Sequence, residues 1–313
     1  MKKKIRLGTR GSPLALIQAE AIRARLIAAN PQLAGQAEID IIPIRTTGDW
    51  KPEHKDRRFI EMGGNKGMFT KEIEEALLTE HIDMAVHSMK DVASVMPHGL
   101  EIGAVTLRAD PRDAFIGRVA RTLAELPAGA VVGTSSLRRQ AQILAQRPDL
   151  RVTALRGNVE TRLKKLEDGL ADATLLAVAG MTRLGVEARI SSILPIAVML
   201  PAAAQGALGI EIREGDEEIR ALLAPLNDST TLICVTAERA VMRAIDGSCH
   251  TPAGAYATLT ETGELTIEAL VARADGSAMV RLSATGATKD ADSIGETLGQ
   301  NLRSRSPADL FAA

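Results

Sequence analysis

Arginines recur in this sequence where a predicted strand gives way to a predicted helix. The planar fork of an arginine donates two parallel N–H groups to a carboxylate or a phosphate. α/β sheets bind ligands beyond the carboxyl ends of their strands, so the pattern indicates a ligand with several carboxylates or phosphates. For any single arginine the simpler interpretation is a solvated helix face. The arginines at these positions are Arg10, Arg138, Arg139, Arg156 and Arg162.

Two of these turns also carry a serine that can cap a helix. Ser12 stands before Pro13, and Ser136 stands three residues after a glycine that ends a predicted strand. An N-cap serine accepts a backbone N–H, and the positive end of the helix dipole attracts an anion. Arg138 and Arg139 in a first helical turn oppose that dipole. A bound anion would offset the conflict, which favours a functional interpretation of this turn.

Two further groups could act on a ligand directly. Lys90-Asp91 follows a strand predicted at 83–87, and a carboxylate beside a cation suits acid/base work. The alternative is an exposed ion pair of little energetic value. Cys249 lies in a small-residue loop, where its thiolate could be reached by a small molecule and attach it covalently. Cys234 lies in an apolar run and is interpreted as a buried core thiol.

Composition excludes several classes of protein. The 313 residues hold 38 Lys+Arg against 39 Asp+Glu, so the basic excess that general nucleic-acid or anionic-membrane binding needs is absent. Aromatic residues are only 2 %, which argues against base-stacking platforms. Two cysteines cannot form a disulfide framework, and five scattered histidines show no metal-ligand spacing. We therefore expect a cytoplasmic protein with no metal site, no nucleic-acid partner and no membrane partner.

The sequence pattern predicts that the strands and helices carrying these residues form an α/β fold. Short apolar runs alternate with amphipathic stretches, and the pattern restarts near Asp110 as a second βα block. After about residue 230 the chain changes to a helix, a strand meander and a final helix. Ten Lys or Arg and three Asp or Glu lie between Arg118 and Lys165, so the second block is locally basic. The predicted domains are a discontinuous first lobe (1–106 and 203–226), a second lobe (107–202) and an α+β third domain (227–313).

Ten motifs in order resemble the porphobilinogen deaminase family, also called the hydroxymethylbilane synthase family. The resemblance extends from about residue 5 to residue 275. The motifs are GTRGSPLAL, NKGMFTKEIE, AVHSMKD, DPRDAF, GTSSLRRQAQ, LRGNVETRL, LAVAGMTRLG, LPAAAQGALGIE, VTAERA and GSCHTPAGAYA.

The resemblance implies a fold and a reaction. Members have two lobes similar to those of type II periplasmic binding proteins, plus a small α+β third domain. They join four porphobilinogen molecules head to tail with loss of ammonia and release hydroxymethylbilane by hydrolysis. A dipyrromethane cofactor, built from substrate, is held by a thioether to a cysteine that Cys249 matches. Relatives suggest a monomer.

The resemblance also implies roles for individual residues. Asp91 matches the catalytic aspartate, which stabilises positive charge and relays protons. Phe69 matches an aromatic beside the reaction site, and the polar segment 46–67 matches a mobile loop over the cleft. Lys66 is retained in that loop. Residues matched to cofactor and substrate binding are Arg10, Ser12, Lys90, Ser136, Arg138, Arg139, Arg156, Arg162, Arg183 and Gln205.

This chain departs from the family pattern at a few positions. Asn65 stands in a glycine-rich stretch before the phenylalanine, and Met62 stands where a relative can carry a lysine. Ala93 replaces a usual proline, and Ser248 and His250 flank the matched cysteine.

Two other functions would also account for paired α/β blocks with arginines or for a capped helix start. A two-lobed binding protein for an anion does not explain Cys249, and a phosphate-handling transferase lacks the Gly-Lys-Ser/Thr loop.

Overall fold

The computed structural model describes residues 4–33, 38–47, 69–246 and 251–311. Its strands are β1 (Lys4–Arg10), β2 (Glu38–Ile44), β3 (Met84–Ser88), β4 (Leu100–Val105), β5 (Asp113–Gly117), β6 (Val131–Gly133), β7 (Arg151–Thr153), β8 (Ala173–Ala177), β9 (Ser192–Ile193), β10 (Leu208–Arg213), β11 (Ala253–Leu259), β12 (Leu265–Ala272) and β13 (Met279–Gly286). Its α-helices are α1 (Pro13–Ala29), α2 (Lys71–Leu78), α3 (Leu137–Gln146), α4 (Val159–Glu167), α5 (Val178–Arg183), α6 (Glu217–Leu223), α7 (Ser229–Ala244) and α8 (Ala291–Arg305).

These residues divide into two compact units. The first contains the described residues of Met1–Asp49, Gly67–Ala109 and Gly206–Leu232. The second contains Asp110–Gln205 and the described residues of Ile233–Ala313.

The first unit is built on a five-stranded sheet in the order β2-β1-β3-β10-β4. β1 runs parallel to β2 and β3, whereas β10 is antiparallel to β3 and β4. Ile22 of α1 and Leu223 of α6 pack with Ile5 and Ile210 of the sheet in one apolar core. α2 contributes to a separate core that includes Ala85 of β3. The chain thus contributes a strand from residues 208–213, β10, to the same sheet as β1 and β3.

The second unit contains a sheet of the same plan, in the order β7-β6-β8-β5-β9. β6 is parallel to β7 and β8, and β5 is antiparallel to β8 and β9. Ile143 of α3 packs with Phe115 in one core, while Leu163 of α4 packs with Ile116 in another. Phe115 and Ile116 are neighbours on β5, so their side chains point to opposite faces and the sheet is covered on both sides. The repeated α/β plan expected from the sequence is confirmed.

The C-terminal part of the second unit is an antiparallel meander, β11-β12-β13. α7 and α8 pack on it, with Val241 and Leu298 sharing a core with Ile267. Leu270 instead packs with Ala141 of α3, so this meander shares a core with that helix. The structure thus agrees with an α/β fold class with two lobes of the type II binding-protein plan and a small α+β C-terminal domain. Among the described residues, no helix combines the length and the apolar character needed to cross a membrane.

Several element boundaries differ from the sequence expectation. The sequence pattern predicts a helix over 69–80 and a strand over 151–155. The helix α2 covers only Lys71–Leu78, because Phe69 and Thr70 form a turn before it, and the strand β7 ends at Thr153. Helix ends carry unsatisfied backbone groups that caps and turns take up, which shortens elements relative to an apolar pattern.

Candidate functional site

Arg10 and Phe69 meet at the carboxyl end of β1. The guanidinium carbon of Arg10 lies 4.4 Å from the centroid of the Phe69 ring, which is a cation–π contact. Ser12 begins α1 as predicted, because its side chain accepts the backbone N–H of Ala15 at 3.3 Å. The sequence therefore places a cation, an aromatic ring and a capped helix start at one strand end.

Lys90 and Asp91 lie in a single 3₁₀ turn, Met89–Asp91, that directly follows β3. The backbone N–H of Met89 donates to the carbonyl of Ala207 at 3.1 Å, and the Met89 side chain is buried. A Cβ on Gly209 would lie 2.0 Å from the Met89 sulfur, so only glycine allows this close packing. Both Lys90 and Asp91 remain partly exposed at the end of a rigid strand.

The register of the first sheet brings these two groups to the same edge. β1 and β3 are parallel, and Gly8 pairs with Ala85, so Arg10 and the turn after β3 both follow the carboxyl ends of neighbouring strands. Gln18 of α1 also reaches this turn, since its amide nitrogen donates to the Ser88 hydroxyl at 3.2 Å. The first unit thus offers cations and one carboxylate where α/β sheets bind ligands.

In the second unit, Asp113 is the centre of a buried cluster. Its carboxylate is fully buried and accepts from Nη2 of Arg138 at 2.8 Å and from Nη2 of Arg139 at 2.7 Å. Gln205 donates to the same carboxylate at 3.0 Å and to the carbonyl of Pro111 at 2.6 Å. Burial alone would raise the pKa of Asp113, but the charges of the two arginines outweigh it and hold the pKa well below its usual range.

The two arginines are further held by backbone carbonyls. Nη1 of Arg138 donates to Leu200 at 2.6 Å, and Nη1 of Arg139 donates to Leu175 at 2.9 Å. Ser136 is the N-cap of α3 and accepts the Arg139 N–H at 3.4 Å. The sequence predicted these guanidiniums as receptors for a ligand, and that role stays a prediction. The structure adds that Asp113 fixes their orientation.

Two buried polar atoms at this helix start have no hydrogen-bond partner among the described residues, namely Nε of Arg139 and Oγ of Ser135. A buried donor without a partner is costly, so such atoms at a predicted ligand site indicate where a polar ligand would bind. A guanidinium N–H and a hydroxyl are both suitable donors to a carboxylate. The residues present therefore fit a ligand rich in carboxylates.

The remaining predicted arginines lie on the same sheet edge or just beyond it. Arg156 is buried in the loop after β7, and its carbonyl accepts from the Lys165 ammonium at 3.1 Å. Arg162, in α4, donates its Nε to the Gly157 carbonyl at 2.8 Å. Arg183 ends α5, and burial lowers the pKa of its guanidinium, which stays charged at neutral pH.

Sequence reasoning assigned no role to two residues that the structure makes prominent. Asp113 belongs to the DPRDAF motif, and an aspartate that opens an apolar strand is the signal that could have identified it. Glu211 lies inside the apolar strand β10 and is fully buried, where it contacts His87. The contact gives one ring nitrogen of His87 a hydrogen-bond partner.

Several predicted positions lie outside the described residues. Cys249 and Lys66 are among them, as are Met62, Asn65, Ser248 and His250 and most of the segment 46–67. Their assigned roles stay predictions. Among the residues that the structure does describe, no group of three or more His, Cys, Asp or Glu side chains is arranged to hold a metal ion.

Known proteins resemble this chain over nearly its whole length. The porphobilinogen deaminase of Chromobacterium violaceum is 48% identical over 310 residues, which are 99% of this chain and 97% of that protein. The porphobilinogen deaminase of Paracoccus denitrificans is 48% identical, over 98% of this chain and 96% of that protein. The porphobilinogen deaminase of Syntrophobacter fumaroxidans is 47% identical, over 95% of this chain and 94% of that protein.

Similar solved structures come from solute-binding proteins. A putative methionine-binding lipoprotein of Bacillus subtilis has a TM-score of 0.42 at 16% identity, covering 73% of this chain and 92% of that one. The methionine-binding protein MetQ has a TM-score of 0.45 at 12% identity, covering 72% of this chain and 89% of that one.

Each unit presents cations at the carboxyl edge of an α/β sheet, the edge at which α/β proteins bind their ligands. The sequence profile of the porphobilinogen deaminase dipyrromethane cofactor-binding domain matches residues 5–221, and that of the family's C-terminal domain matches residues 232–304. The chain belongs to the porphobilinogen deaminase family. It is an enzyme of tetrapyrrole biosynthesis that uses a dipyrromethane cofactor.

Proposed function

We propose that this chain joins four porphobilinogen molecules head to tail, releases ammonia at each addition and frees hydroxymethylbilane by hydrolysis. Each pyrrole carries an acetate and a propionate, so the bound chain accumulates carboxylates as it grows. Guanidinium forks are suitable receptors for such groups. The observation that carries the proposal is the Asp113 cluster, because it holds Arg138 and Arg139 in one orientation before any ligand arrives.

We assign attachment of the cofactor to the sulfur of Cys249 through a thioether. The dipyrromethane, when bound, supplies the terminal pyrrole to which substrate is added. The unpartnered Nε of Arg139 and Oγ of Ser135 support carboxylate binding at the start of α3. Residues assigned to hold the cofactor and the growing chain are Ser136, Arg138, Arg139, Arg156, Arg162, Arg183 and Gln205.

Asp91 is assigned the catalytic role. Positive charge develops on the substrate as ammonia leaves, and a carboxylate close to the pyrrole N–H groups stabilises that charge. The same carboxylate can accept the proton that the attacking pyrrole carbon must lose. Its position at the end of β3, in a turn bonded to Ala207, keeps it in place while substrates change.

Neighbouring groups of the first unit orient the substrate. Lys90 and Arg10 offer charges to its acetate and propionate, and Phe69 keeps the Arg10 guanidinium in place through the cation–π contact. Ser12 and Lys66 are assigned further contacts with the bound chain. We also propose a cytoplasmic monomer with the three domains 1–106 with 203–226, 107–202 and 227–313.

Intact-protein mass measurement tests this proposal most directly. The purified chain should carry a covalent adduct of two linked pyrroles, which peptide mapping should place on Cys249. Incubation with porphobilinogen should add further pyrrole units in steps and release ammonia. A soluble chain that carries no adduct and leaves porphobilinogen unchanged would overturn the proposal.

Two cysteine variants locate the attachment. Cys249→Ala should remove the adduct and the activity, because the thioether needs a sulfur nucleophile. Cys234→Ala is the matched control, since Cys234 is a buried core thiol, and the adduct should remain. An adduct that persists in Cys249→Ala and disappears in Cys234→Ala would show that the assignment is wrong.

A further inference from the structure

A buried histidine–glutamate contact lies just before the turn that bears Lys90 and Asp91, and no step of the proposed chemistry uses it. Nε2 of His87, on β3, lies 2.8 Å from Oε2 of Glu211, on β10. His87 is 5% exposed and Glu211 is 0% exposed. Solvent therefore does not screen the pair.

Fold stability alone does not account for this pair. Taking a carboxylate out of water costs free energy that one partner seldom repays, and apolar side chains of similar size often stabilise a core better. Oε1 of Glu211 is also buried and has no hydrogen-bond partner among the described residues. The core on the same face of the sheet contains apolar side chains, with Ala85 of β3 packed against Ile73 and Leu77 of α2.

The two residues lie where the pairing of β3 with β10 approaches its end, just before the turn. His87 is paired with Gly209, and Ser88 is paired with Leu208. Glu211 is two residues beyond Gly209, the partner of His87. Because side chains alternate along a strand, the side chains of Glu211 and His87 lie on the same face of the sheet. The cross-strand contact thus ties the end of β3 to β10 immediately before the chain turns into Lys90.

A third titratable group faces the pair from the helix above it. The pKa of Glu74, on α2, is raised, mainly because the side chain is buried. The charge of Glu211 raises this pKa further, whereas a hydrogen bond from Thr70 and the charge of His87 lower it. From α1, the uncharged Gln18 bonds to Ser88. The end of β3 is therefore bonded to α1 and to β10, while Glu74 of α2 interacts with the pair electrostatically.

We propose that the His87–Glu211 pair is a positioning element that fixes the orientation of the turn bearing Asp91. The inference rests on the proposed function of Asp91. The contact joins β3 to β10 in the paired residues just before this turn. The hydrogen bond from the Met89 N–H to the Ala207 carbonyl connects the turn itself to the residue before β10. Loss of the pair would leave the fold in place but loosen the carboxylate relative to the substrate.

The test compares Glu211→Leu and Glu211→Gln with a matched control, Asp83→Asn. Asp83 is equally buried and bonds to Arg6 at 2.8 to 3.0 Å, but it lies at the opposite end of β3. Glu211→Leu should lower kcat about tenfold to a hundredfold with little change in KM, because misplaced catalytic groups cost rate. Glu211→Gln keeps an oxygen that can accept from His87, so it should retain more of the rate. Asp83→Asn should reduce stability and leave kcat near that of the parent.

Hydrogen exchange supplies a readout apart from activity. Amides of the Met89–Val92 segment should exchange faster in Glu211→Leu than in the parent, and should not do so in Asp83→Asn. If Glu211→Leu fails to fold, Glu211→Gln and Asp83→Asn still give the comparison. Unchanged kcat and unchanged exchange in the Glu211 variants would overturn the inference, as would an equal fall of kcat in Asp83→Asn. A parent chain that does not consume porphobilinogen would instead refute the proposed function.

Discussion

Nη2 of Arg138 lies 2.8 Å from Oδ2 of Asp113, and both side chains are buried. The carboxylate therefore determines which way this guanidinium faces. A second guanidinium, that of Arg139, shares the same carboxylate through its other oxygen. Two cations balanced by one anion leave a positive site that is rigid and complementary to a polyanionic ligand.

The first prediction concerns the loss of that carboxylate. Asp113→Asn should reduce the free energy of unfolding by about 3–5 kcal/mol, because it leaves two buried guanidiniums without their anion. Denaturant unfolding measures the change. Asp149→Asn removes the exposed partner of Arg147, so it should reduce the free energy of unfolding far less than Asp113→Asn does. Equal effects of the two variants would contradict the assigned importance of Asp113.

The same variant has a predicted pH dependence. The pKa of Asp113 is lower in the folded chain than the value of about 3.9 expected in the unfolded chain. The stabilisation is therefore fully present above that value and is lost as the pH falls towards the folded pKa. The stability difference between parent and Asp113→Asn should stay constant from about pH 5 to 8 and shrink by about 1.4 kcal/mol per pH unit below about pH 4.

The second prediction concerns the catalytic aspartate. Asp91→Asn should lower turnover by about 10²–10⁴-fold, because an amide neither accepts the proton nor balances positive charge. Its stability should stay close to that of the parent, since Asp91 is partly exposed at a turn. Asp40→Asn, which removes the surface partner of Lys4, should leave turnover unchanged. Near-normal turnover in Asp91→Asn would refute the role.

The third prediction concerns the Arg10–Phe69 contact. Phe69→Leu should raise KM for porphobilinogen by about two- to thirtyfold, the equivalent of the ~0.5–2 kcal/mol that a cation–π contact contributes. Steady-state kinetics measures this. Phe311→Leu is the control, because it removes the Arg303–Phe311 contact near the C-terminus and should leave KM unchanged. A fall in kcat without a change in KM would show that Phe69 acts on the chemical step instead.

The fourth prediction concerns the C-terminus of α2. Glu80 has a φ of 56°, and the N–H groups of Glu80 and His81 donate to Leu77 and Ala76, which forms a Schellman cap. Glu80→Gly should raise the free energy of unfolding by about 1 kcal/mol, since glycine adopts this conformation without strain. Glu80→Gln should have a smaller effect because it keeps the strain. A destabilised Glu80→Gly would contradict the expectation, and turnover should not change in either variant.

Much of the local structure follows from the sequence. Ser12 with Pro13 predicts the start of α1, and the structure begins the helix there. Alternating apolar runs predict the repeated βα plan, and the ordered motifs identify the family. These features depend on residues close together in the chain, where capping, backbone preference and apolar periodicity act.

Long-range contacts could not be predicted in this way. Asp113 meets Arg138 across 25 residues, and His87 meets Glu211 across 124 residues. Which side chains pair depends on the register of β5 beside β8 and of β3 beside β10, and a register shift of one residue would turn each side chain to the other face. The sequence by itself determined which residues could bind carboxylates and move protons. Only the tertiary structure decided which of them share a buried carboxylate. Strand pairing brings one carboxylate within reach of the guanidiniums, and burial removes the water that would otherwise hydrogen-bond to them.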